Sequence, residues 1–274
     1  MSIVVAGATG LAGSAIVNAY KKTGAEVVGI NRSVCNLLDR EATIAFIKSV
    51  KPTLVVDAAA KVGGIGANSS YPVEFLADNV RIQSNLMEAA HAADVEKFIF
   101  LGSSCIYPRD AAQPMKEEYL LTGPLEESNS AYAIAKIAGI ELIKSFRKEY
   151  GRKWISLMPT NLYGPYDNFE LQGSHVLPAF IRRFVEARES GRSKEILWGT
   201  GAPMREFLHV DDLAAAVVIA GEKYDSAQHI NIGTGEDLTI KALAELVAEL
   251  AGFSGEIAWD SSKPDGTPRK VLDV

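Results

Sequence analysis

The sequence predicts an α/β fold built on a doubly wound parallel sheet, with a smaller lobe toward the C-terminus. Short, nearly all-apolar segments of strand length alternate with segments of helical periodicity, which is typical of a parallel sheet covered by helices on both faces. A glycine-rich turn directly follows the first apolar segment, as in dinucleotide-binding folds of the Rossmann type. We therefore predict a Rossmann domain over residues 1–160 and a mainly substrate-binding lobe over 161–274, with segments returning to the main domain.

The elements of the Rossmann domain follow one another in alternating order. The predicted strands are "SIVVA", "EVVGI", "TLVVDAA", "KFIFLG" and "WISLMP". The helices predicted between them run over residues 11–24, 41–50, 72–93 and 130–150. Helices that connect successive short apolar strands predict parallel pairing, because a parallel connection needs a crossover of this length.

The pattern loosens after residue 159, where the second lobe is predicted. A polar loop rich in Gly and Pro comes first, "TNLYGPYDNFELQGSHVLP". Shorter elements follow: a helix over 177–188, the strand "EILWG", a helix from Asp211, the strand "HINIG", a helix over 239–251 and the strand "EIAW". Their mixed lengths favour a smaller α/β lobe over a second doubly wound domain.

Composition and charge exclude several classes of function. The formal net charge of −6 argues against general affinity for nucleic-acid phosphates. No apolar run approaches the roughly 18–20 residues that span a bilayer, and "MSIVVAG" enters a strand without the basic start of a signal peptide. The two cysteines form no disulfide framework, and the four histidines show no zinc-ligand spacing. We expect a cytoplasmic protein with no metal site and no nucleic-acid or membrane partner.

The glycine turn predicts a dinucleotide site. Gly7, Gly10 and Gly13 lie in "VVAGATGLAGSA", between the first strand and the first helix. Glycines at this point permit a tight turn and let backbone N–H groups at the helix N-terminus approach a pyrophosphate. The predicted cofactor contacts in this turn are Gly7, Ala8, Thr9, Gly10, Leu11, Ala12 and Gly13.

The end of the second strand indicates which dinucleotide binds. A site that prefers NAD usually has an acidic residue there for the ribose 2′-hydroxyl. This chain has Asn31 and Arg32 in "VVGINRS" instead. An arginine can pair with a 2′-phosphate, although Arg32 can also be read as an ordinary surface charge. We predict NADP(H), with Asn31 and Arg32 as contacts.

A second group of residues predicts proton transfer beside the nicotinamide. Tyr132 and Lys136 in "SAYAIAK" are four residues apart, on one face of a helix. A cation there is expected to lower the phenol pKa from its usual value of about 10 and so suit Tyr132 to acid–base work. Ser103, at the end of the fourth strand, offers another hydrogen-bond donor. The glycine triplet, Ser103, Tyr132 and Lys136, in this order, resemble the short-chain dehydrogenase/reductase superfamily, extended type.

Cys105 adds a group that hydride transfer alone does not require. It lies two residues after Ser103, in "FLGSSCIYPR". A ketone acidifies the C–H bonds on both flanking carbons, and a thiolate is able to remove such a proton. His175, in "QGSHVLP", is the candidate acid that returns a proton, because its ordinary pKa lies near neutral. The alternatives are that Cys105 is a small core filler and His175 a loop or helix-capping residue.

Six longer strings resemble one family within this superfamily, and the likeness runs along essentially the whole chain. They are "AAAKVGGIGANSSYP", "FLGSSCIYPR", "SAYAIAKIAG", "MPTNLYGPYDNF", "SHVLPAFIRRF" and "WGTGAPMREFLHVDDLA". Together they resemble the GDP-L-fucose synthases, which epimerise C3 and C5 of GDP-4-keto-6-deoxy-D-mannose and reduce C4 with NADPH. The resemblance implies a GDP-sugar substrate and the same bifunctional activity.

The resemblance also implies a role for each catalytic residue. Cys105 is the base and His175 the acid of epimerisation, while Tyr132 gives a proton to the C4 alkoxide. Lys136 lowers the tyrosine pKa and holds the nicotinamide ribose, and Ser103 holds the carbonyl oxygen.

The remaining implied contacts are with cofactor and substrate. Those with substrate are Arg183, Trp198, Arg205 and Asp265. Those with cofactor, beyond the glycine turn, are Leu101, Gly102, Ser103, Ser104, Lys136, Pro159, Thr160, Asn161, Leu162 and His175. Arginines suit the diphosphate because their planar donors bind in a bidentate way.

Two features depart from the family pattern. Its glycine turn usually reads "GHRG", where the arginine helps to hold the NADP phosphate. This turn reads "GATG", so Thr9 cannot hold the NADP phosphate in that way, and Arg32 is expected to contribute more of its binding. Family members also continue for some tens of residues past the string that ends this sequence.

Helices 72–93 and 130–150 are predicted to form a homodimer interface, as in the superfamily. The second helix carries Ile143 and Phe146 on one face, while Ile134 and Ile137 lie well round from it. A helix that is apolar on two sides usually buries both.

Alternative functions remain open on the sequence. One is a related GDP-keto-sugar enzyme of the GDP-L-colitose synthase type, which epimerises C5 only. Another is a non-catalytic NADP(H)-sensing protein on the same fold, although such a protein would normally have lost Tyr132 or Lys136. A galactose-type epimerase would not need the pair Cys105 and His175, and a 4,6-dehydratase typically has an acidic pair where this chain has Ser104 and Cys105.

Overall fold

Six parallel strands form the central sheet of the computed structural model, which describes residues 1–170, 173–263 and 265–274. Leu171 and Gln172, in the predicted polar loop, lie outside the described residues. The strands of the described part are β1 (Ser2–Ala6), β2 (Glu26–Ile30), β3 (Leu54–Asp57), β4 (Lys97–Leu101), β5 (Ile155–Pro159), β6 (Asn161–Tyr163), β7 (Lys194–Trp198), β8 (Met204–Arg205), β9 (Phe207–His209), β10 (Ile230–Ile232), β11 (Leu238–Thr239), β12 (Glu256–Asp260) and β13 (Arg269–Lys270).

The helices lie close to their predicted positions. They are α1 (Leu11–Lys22), α2 (Arg40–Val50), α3 (Ile65–Ser70), α4 (Pro72–Ala92), α5 (Ser130–Tyr150), α6 (Val176–Glu189), α7 (Val210–Lys223) and α8 (Ile240–Ala251). Side chains cap the starts of three helices: Asp39 accepts from the N–H of Ala42, His209 from that of Asp211 and Thr239 from that of Ala242. No helix in the described part is long and apolar enough to cross a membrane.

The sheet has the strand order β10-β5-β4-β3-β1-β2, and every pairing in it is parallel. The predicted α/β doubly wound class is therefore confirmed. From β1 the chain moves outward to β2 and then crosses back to β3 on the other side of β1. Ligands of such sheets bind where the direction reverses, at the carboxyl ends of the strands, which here means the ends of β1 and β3.

Two apolar layers cover the sheet. One face packs on α2, α4 and α5, with Phe98, Phe100 and Ile140 at its centre. The other face packs on α1 and α7 around Ile16 and Leu213. Both faces of the strands are buried, which explains why their sequences are almost wholly apolar.

The C-terminal part of the chain forms smaller sheets and one returning strand. β7 pairs with β12, β8 lies between β11 and β13, and β6 pairs with β9. α6 and α8 pack together over a third apolar cluster that contains Phe184, Leu197 and Phe253. β10 instead joins the main sheet beside β5. The prediction of a loop over Asn161–Tyr163 is wrong. This segment forms β6, which pairs with β9 in parallel.

Candidate active site

The glycine turn after β1 has the close backbone approach that the sequence predicts. Gly7 has φ of +76°, and a Cβ there would lie 2.6 Å from the carbonyl oxygen of Ala58 after β3. A Cβ at Gly13 would overlap the carbonyl of Gly7. α1 begins one residue after Gly10, and its first N–H groups have no partner within the helix. The turn is therefore a cradle for the pyrophosphate of a dinucleotide.

The end of β2 lies next to this cradle. The N–H of Ala8 donates to the carbonyl of Ile30 at 3.0 Å. The Asn31 side chain accepts from the N–H groups of Ser33 and Val34 and so shapes the following turn. Within the described residues the exposed Arg32 side chain makes no hydrogen bond or ion pair, and it is therefore free to meet a phosphate beside the turn.

The end of β4 gathers three of the predicted catalytic residues. The Ser103 hydroxyl accepts from the N–H of Cys105 at 3.3 Å, at the start of a 3-10 turn that spans Ser104–Ile106. The buried Lys136 reaches from α5, and its Nζ donates to the carbonyl of Leu101 at 2.8 Å. The end of the Met158 side chain occupies the space beside Gly102 that a Cβ would fill.

Cys105 has a charged neighbour that the sequence analysis missed. Lys270 Nζ donates to its Sγ at 3.2 Å, and Nδ2 of Asn129 donates to it at 3.5 Å. Burial alone would raise the pKa of the thiol, but Lys270, the Ser103 hydroxyl and Arg205 outweigh it, and the pKa of Cys105 is lowered. A lowered pKa is what a thiol base requires.

The predicted effect of Lys136 on Tyr132 is wrong. Burial raises the pKa of Tyr132, and the neighbouring charges of Cys105 and Asp57 act in the same direction, against the Ser103 hydroxyl. Lys136 is itself buried, and burial lowers its pKa to about 8 although Asp57 opposes the shift. The ammonium points to the Leu101 carbonyl, 5.8 Å from the centre of the Tyr132 ring. At neutral pH Tyr132 is therefore a phenol, able to donate a proton.

His175 lies at the start of α6, where it is the N-cap residue. His175 keeps an exposed surface. Desolvation by the atoms packed around it nevertheless lowers the imidazole pKa, the charge of Asp167 opposes this shift and that of Lys270 adds to it. His175 and Cys105 thus share Lys270 as a neighbour. The charge of one ammonium group therefore acts on both the base and the acid candidate.

Arg205 connects this centre to the predicted nucleotide end. Burial lowers its pKa, while the charges of Cys105, Glu126 and Asp265 act to raise it. The carboxylate of Asp265 accepts from the N–H and the hydroxyl of Thr200, both at 2.7 Å. Thr200 follows shortly after Trp198, whose side chain is 67% exposed and open to a ligand.

Arg183 is already engaged within the protein. Its Nε donates to Glu195 at 2.6 Å, and its guanidinium also meets the carbonyl of Ile196. Glu195 is buried and paired with Arg192 as well. Arg183 therefore ties the middle of α6 to β7, the strand that ends at Trp198, and a substrate contact from it stays a prediction.

The predicted nicotinamide segment follows β5 directly. Thr160 and Asn161 both donate from their side chains to the carbonyl of Glu206. Pro159 ends β5, and Leu162 lies in β6. The Glu206 carboxylate is wholly buried and accepts from the backbone N–H groups of Gly235 and Leu272, which ties the C-terminal segment to this part of the site.

Four residues of the site had no signal in the sequence analysis. Lys270 and Asn129 contact Cys105, Asp167 faces His175, and Asp57 faces Lys136. Their closeness arises from the fold rather than from a local motif, so spacing does not reveal it. In the described residues no group of three His, Cys, Asp or Glu side chains has the arrangement of a metal site.

Comparison with known proteins agrees with this geometry. Residues 3–233 match the model of the NAD dependent epimerase/dehydratase family. GDP-L-fucose synthase 1 of Arabidopsis thaliana is 51% identical over 272 residues, which cover 99% of this chain and 84% of that protein. The GDP-L-fucose synthase of Escherichia coli (strain K12) is 51% identical over 282 residues, 99% of this chain and 88% of that protein.

A solved structure is similar throughout. The crystal structure of a GDP-L-fucose synthetase from Naegleria fowleri bound to NADP has a TM-score of 0.91 and 30% sequence identity, covering 99% of this chain and 85% of that chain. The chain belongs to the NAD dependent epimerase/dehydratase family, of the extended short-chain dehydrogenase/reductase type. Within that family its place is among the GDP-L-fucose synthases.

Proposed function

We propose that this protein converts GDP-4-keto-6-deoxy-D-mannose to GDP-L-fucose, by epimerisation at C3 and C5 and reduction at C4. The observation that carries this is the thiol of Cys105, held by Lys270 at 3.2 Å beside the reductase residues Ser103, Tyr132 and Lys136. A reductase without epimerase activity has no need of a thiol with a lowered pKa at this point.

The epimerase half of the reaction uses Cys105 and His175. The Cys105 thiolate removes the proton from a carbon that flanks the C4 ketone, and the C–H electrons move into the ketone to form an enolate. The His175 imidazolium returns a proton to the opposite face, and the electrons move back to restore the ketone. The surroundings of His175 lower its pKa, which makes its charged form a stronger acid. Exchange with solvent then resets both groups.

The reductase half uses Ser103, Tyr132 and Lys136. Bound NADPH supplies a hydride for C4. The phenol of Tyr132 gives its proton to the developing alkoxide, and its raised pKa keeps that proton in place until it is needed. Ser103 offers a hydrogen bond to the same oxygen, and Lys136 holds the ribose beside the carbonyl of Leu101.

The cofactor is NADP(H), and the structure fits it at two points. The glycine cradle has no room for side chains at Gly7 and Gly13, which leaves the backbone open to the pyrophosphate. Arg32, which follows β2 and has no partner in the described residues, is the residue proposed to bind the 2′-phosphate. Arg183, Trp198, Arg205 and Asp265 are the residues proposed for the GDP-sugar.

The proposal extends to assembly and location. A homodimer through α4 and α5 fits the apolar side chains that these helices leave exposed, such as Val73 and Ile134. The cytoplasm is the compartment that suits two free cysteines.

The test is to supply the purified protein with NADPH and GDP-4-keto-6-deoxy-D-mannose in D₂O. NADPH consumption, with GDP-L-fucose as product and deuterium at both C3 and C5, is the expected result. Deuterium at C5 alone would point to the GDP-L-colitose synthase type of reaction. NADPH binding without any exchange or oxidation would overturn the proposal in favour of a sensing protein.

A further inference from the structure

Asp57 is a buried carboxylate in an otherwise apolar strand. It ends β3, whose other residues are Leu54, Val55 and Val56, and its side chain is wholly buried. One carboxylate oxygen accepts from the N–H of Ala59 at 3.1 Å. The other is buried and has no hydrogen-bond partner among the described residues. Buried polar atoms are nearly always paired, so this exception requires a reason.

The surroundings of Asp57 include a buried cation, the ammonium group of Lys136. The partner of Asp57 in the register of β3 and β4 is Phe100. Because side chains alternate along a strand, Asp57 lies on the same face of the sheet as Val55 and Phe100, the face that α5 covers. Lys136 enters this face from α5, with its Nζ 4.8 Å from the centre of the Phe100 ring. A carboxylate and an ammonium group are therefore buried together at the carboxyl ends of adjacent strands.

The charge of Asp57 affects the pKa of Lys136, and the charge of Lys136 affects the pKa of Asp57. Burial raises the pKa of Asp57 to about 6, and Lys136 opposes the shift. The charge of Asp57 also acts on Tyr132 of α5, which the charge of Cys105 after β4 reaches in turn. α4 packs on the same region and presents the buried amides Asn79 and Gln83 to it rather than a charge.

We propose that Asp57 is a positioning residue for the reduction, which holds the Lys136 side chain in its ammonium form at the nicotinamide end of the cleft. The inference rests on the proposed function, since Lys136 holds the nicotinamide ribose there. Asp57 does not touch the substrate and acts only through Lys136. Between the two pKa values of about 6 and about 8 both groups are charged, and we expect the reduction to be fastest in that range.

The first experiment compares the pH dependence of two reactions in one variant. Asp57→Asn keeps the shape of the side chain and removes its charge. The alkaline limit of single-turnover NADPH oxidation is expected to move at least about one pH unit lower, because loss of a near counter-charge shifts a pKa by roughly 1–3 units. Deuterium exchange at C3 and C5 depends on Cys105 and His175 and is expected to keep its pH profile. Asp110→Asn, a change at an exposed carboxylate, serves as control.

The second experiment requires no turnover, which separates this inference from the proposed function. The protein is labelled with ¹³C-lysine, and the Lys136 resonance is assigned by its loss in Lys136→Arg. In the wild-type protein this resonance is expected to report a second titration step from Asp57, and in Asp57→Asn the lysine is expected to titrate at lower pH.

Two outcomes would overturn the inference. One is a wild-type Lys136 resonance with no step from Asp57, which decides the matter even if Asp57→Asn fails to fold. The other is a folded Asp57→Asn variant whose Lys136 titrates as in the wild type. Failure of the wild-type protein to reduce the sugar would count against the proposed function alone.

Discussion

Lys270 and Cys105 are 165 residues apart in the sequence, and yet their side chains meet at 3.2 Å. At the scale of single residues this contact decides whether the thiol can act as a base, because burial alone would raise its pKa. Lys270→Met removes the charge and keeps a similar length. We expect the pKa of Cys105 to rise by at least about one unit, so that the thiolate fraction near neutral pH falls roughly tenfold.

The rate of alkylation of Cys105 by iodoacetamide as a function of pH measures this change. The sign follows from the lowered pKa of Cys105: in the wild type the thiolate forms at a lower pH than in the variant, where the Lys270 charge no longer favours it. Exchange at C3 and C5 should fall in parallel with the alkylation rate. Lys148→Met, at an exposed position on α5, should leave both unchanged. An unaltered alkylation profile in Lys270→Met would remove Lys270 from this role.

Arg32 tests the choice of cofactor at the same scale. The turn after β1 has threonine at position 9, so the exposed Arg32 is the cation beside the predicted 2′-phosphate position. Hydrogen bonds to charged groups contribute about 1.5–3 kcal/mol each. Arg32→Ala is therefore expected to weaken NADPH binding about tenfold or more and to leave NADH binding nearly unchanged. Fluorescence titration with both cofactors measures this, and equal weakening of the two would contradict it.

At the scale of elements, the junction of β1 and α1 depends on the absence of side chains. A Cβ at Gly13 would overlap the Gly7 carbonyl, whereas one at Gly10 would lie 3.5 Å from the same oxygen, an ordinary contact. Gly13→Ala must displace α1 or the turn. We expect it to lose stability on the order of 1–3 kcal/mol and most of its NADPH affinity. Gly10→Ala is expected to have a midpoint of thermal unfolding close to that of the wild type.

Thermal unfolding of the two glycine variants, with and without NADPH, measures the difference. Bound cofactor raises the midpoint in proportion to its affinity. The wild type should therefore be stabilised by NADPH and Gly13→Ala should not. Equal midpoints for Gly13→Ala and Gly10→Ala without cofactor would show that the helix and turn can separate at little cost.

The main elements can be predicted from the sequence because their patterns are regular. The site can be predicted only in part. The strands of the central sheet are apolar and short, the helices periodic, and Tyr132 and Lys136 share a turn of one helix. The sequence pattern does not reveal contacts between residues that are far apart in the chain. In the sequence Asp57 is simply the last residue of a predicted strand. The strand that carries Lys270 is only two residues long, too short for a sequence pattern to predict. The pKa of Tyr132 was predicted in the wrong direction, because spacing places Lys136 near it but says nothing of burial.

At the scale of the whole molecule, the two long helices leave an apolar surface exposed. Of the two isoleucines on the second apolar side of α5, Ile137 is buried within the core of its own chain. Ile134 on α5 is 45% exposed, and Val73 and Leu76 on α4 are exposed as well. The surface lies near the site, since Ile134 follows two residues after Tyr132 on α5 and the buried Phe75 of α4 meets the Tyr132 ring edge to face at 6.4 Å. A homodimer with a stable interface would bury about 1,000 Å² or more in total across these helices.

The dimer is tested by placing a charge on this surface. Ile134→Glu is expected to convert a dimer to a monomer, because an unpaired carboxylate at an apolar interface costs more than the contact it replaces. Ile219→Glu is the matched control, since Ile219 is similarly exposed but lies on α7, across the sheet from α4 and α5. Light scattering after size-exclusion chromatography at micromolar concentration gives the mass of each. A wild-type protein that runs as a monomer, or an Ile219→Glu variant that dissociates as readily as Ile134→Glu, would contradict an interface through α4 and α5. Because the surface lies near Tyr132, a monomeric Ile134→Glu variant is expected to lose reduction more than exchange.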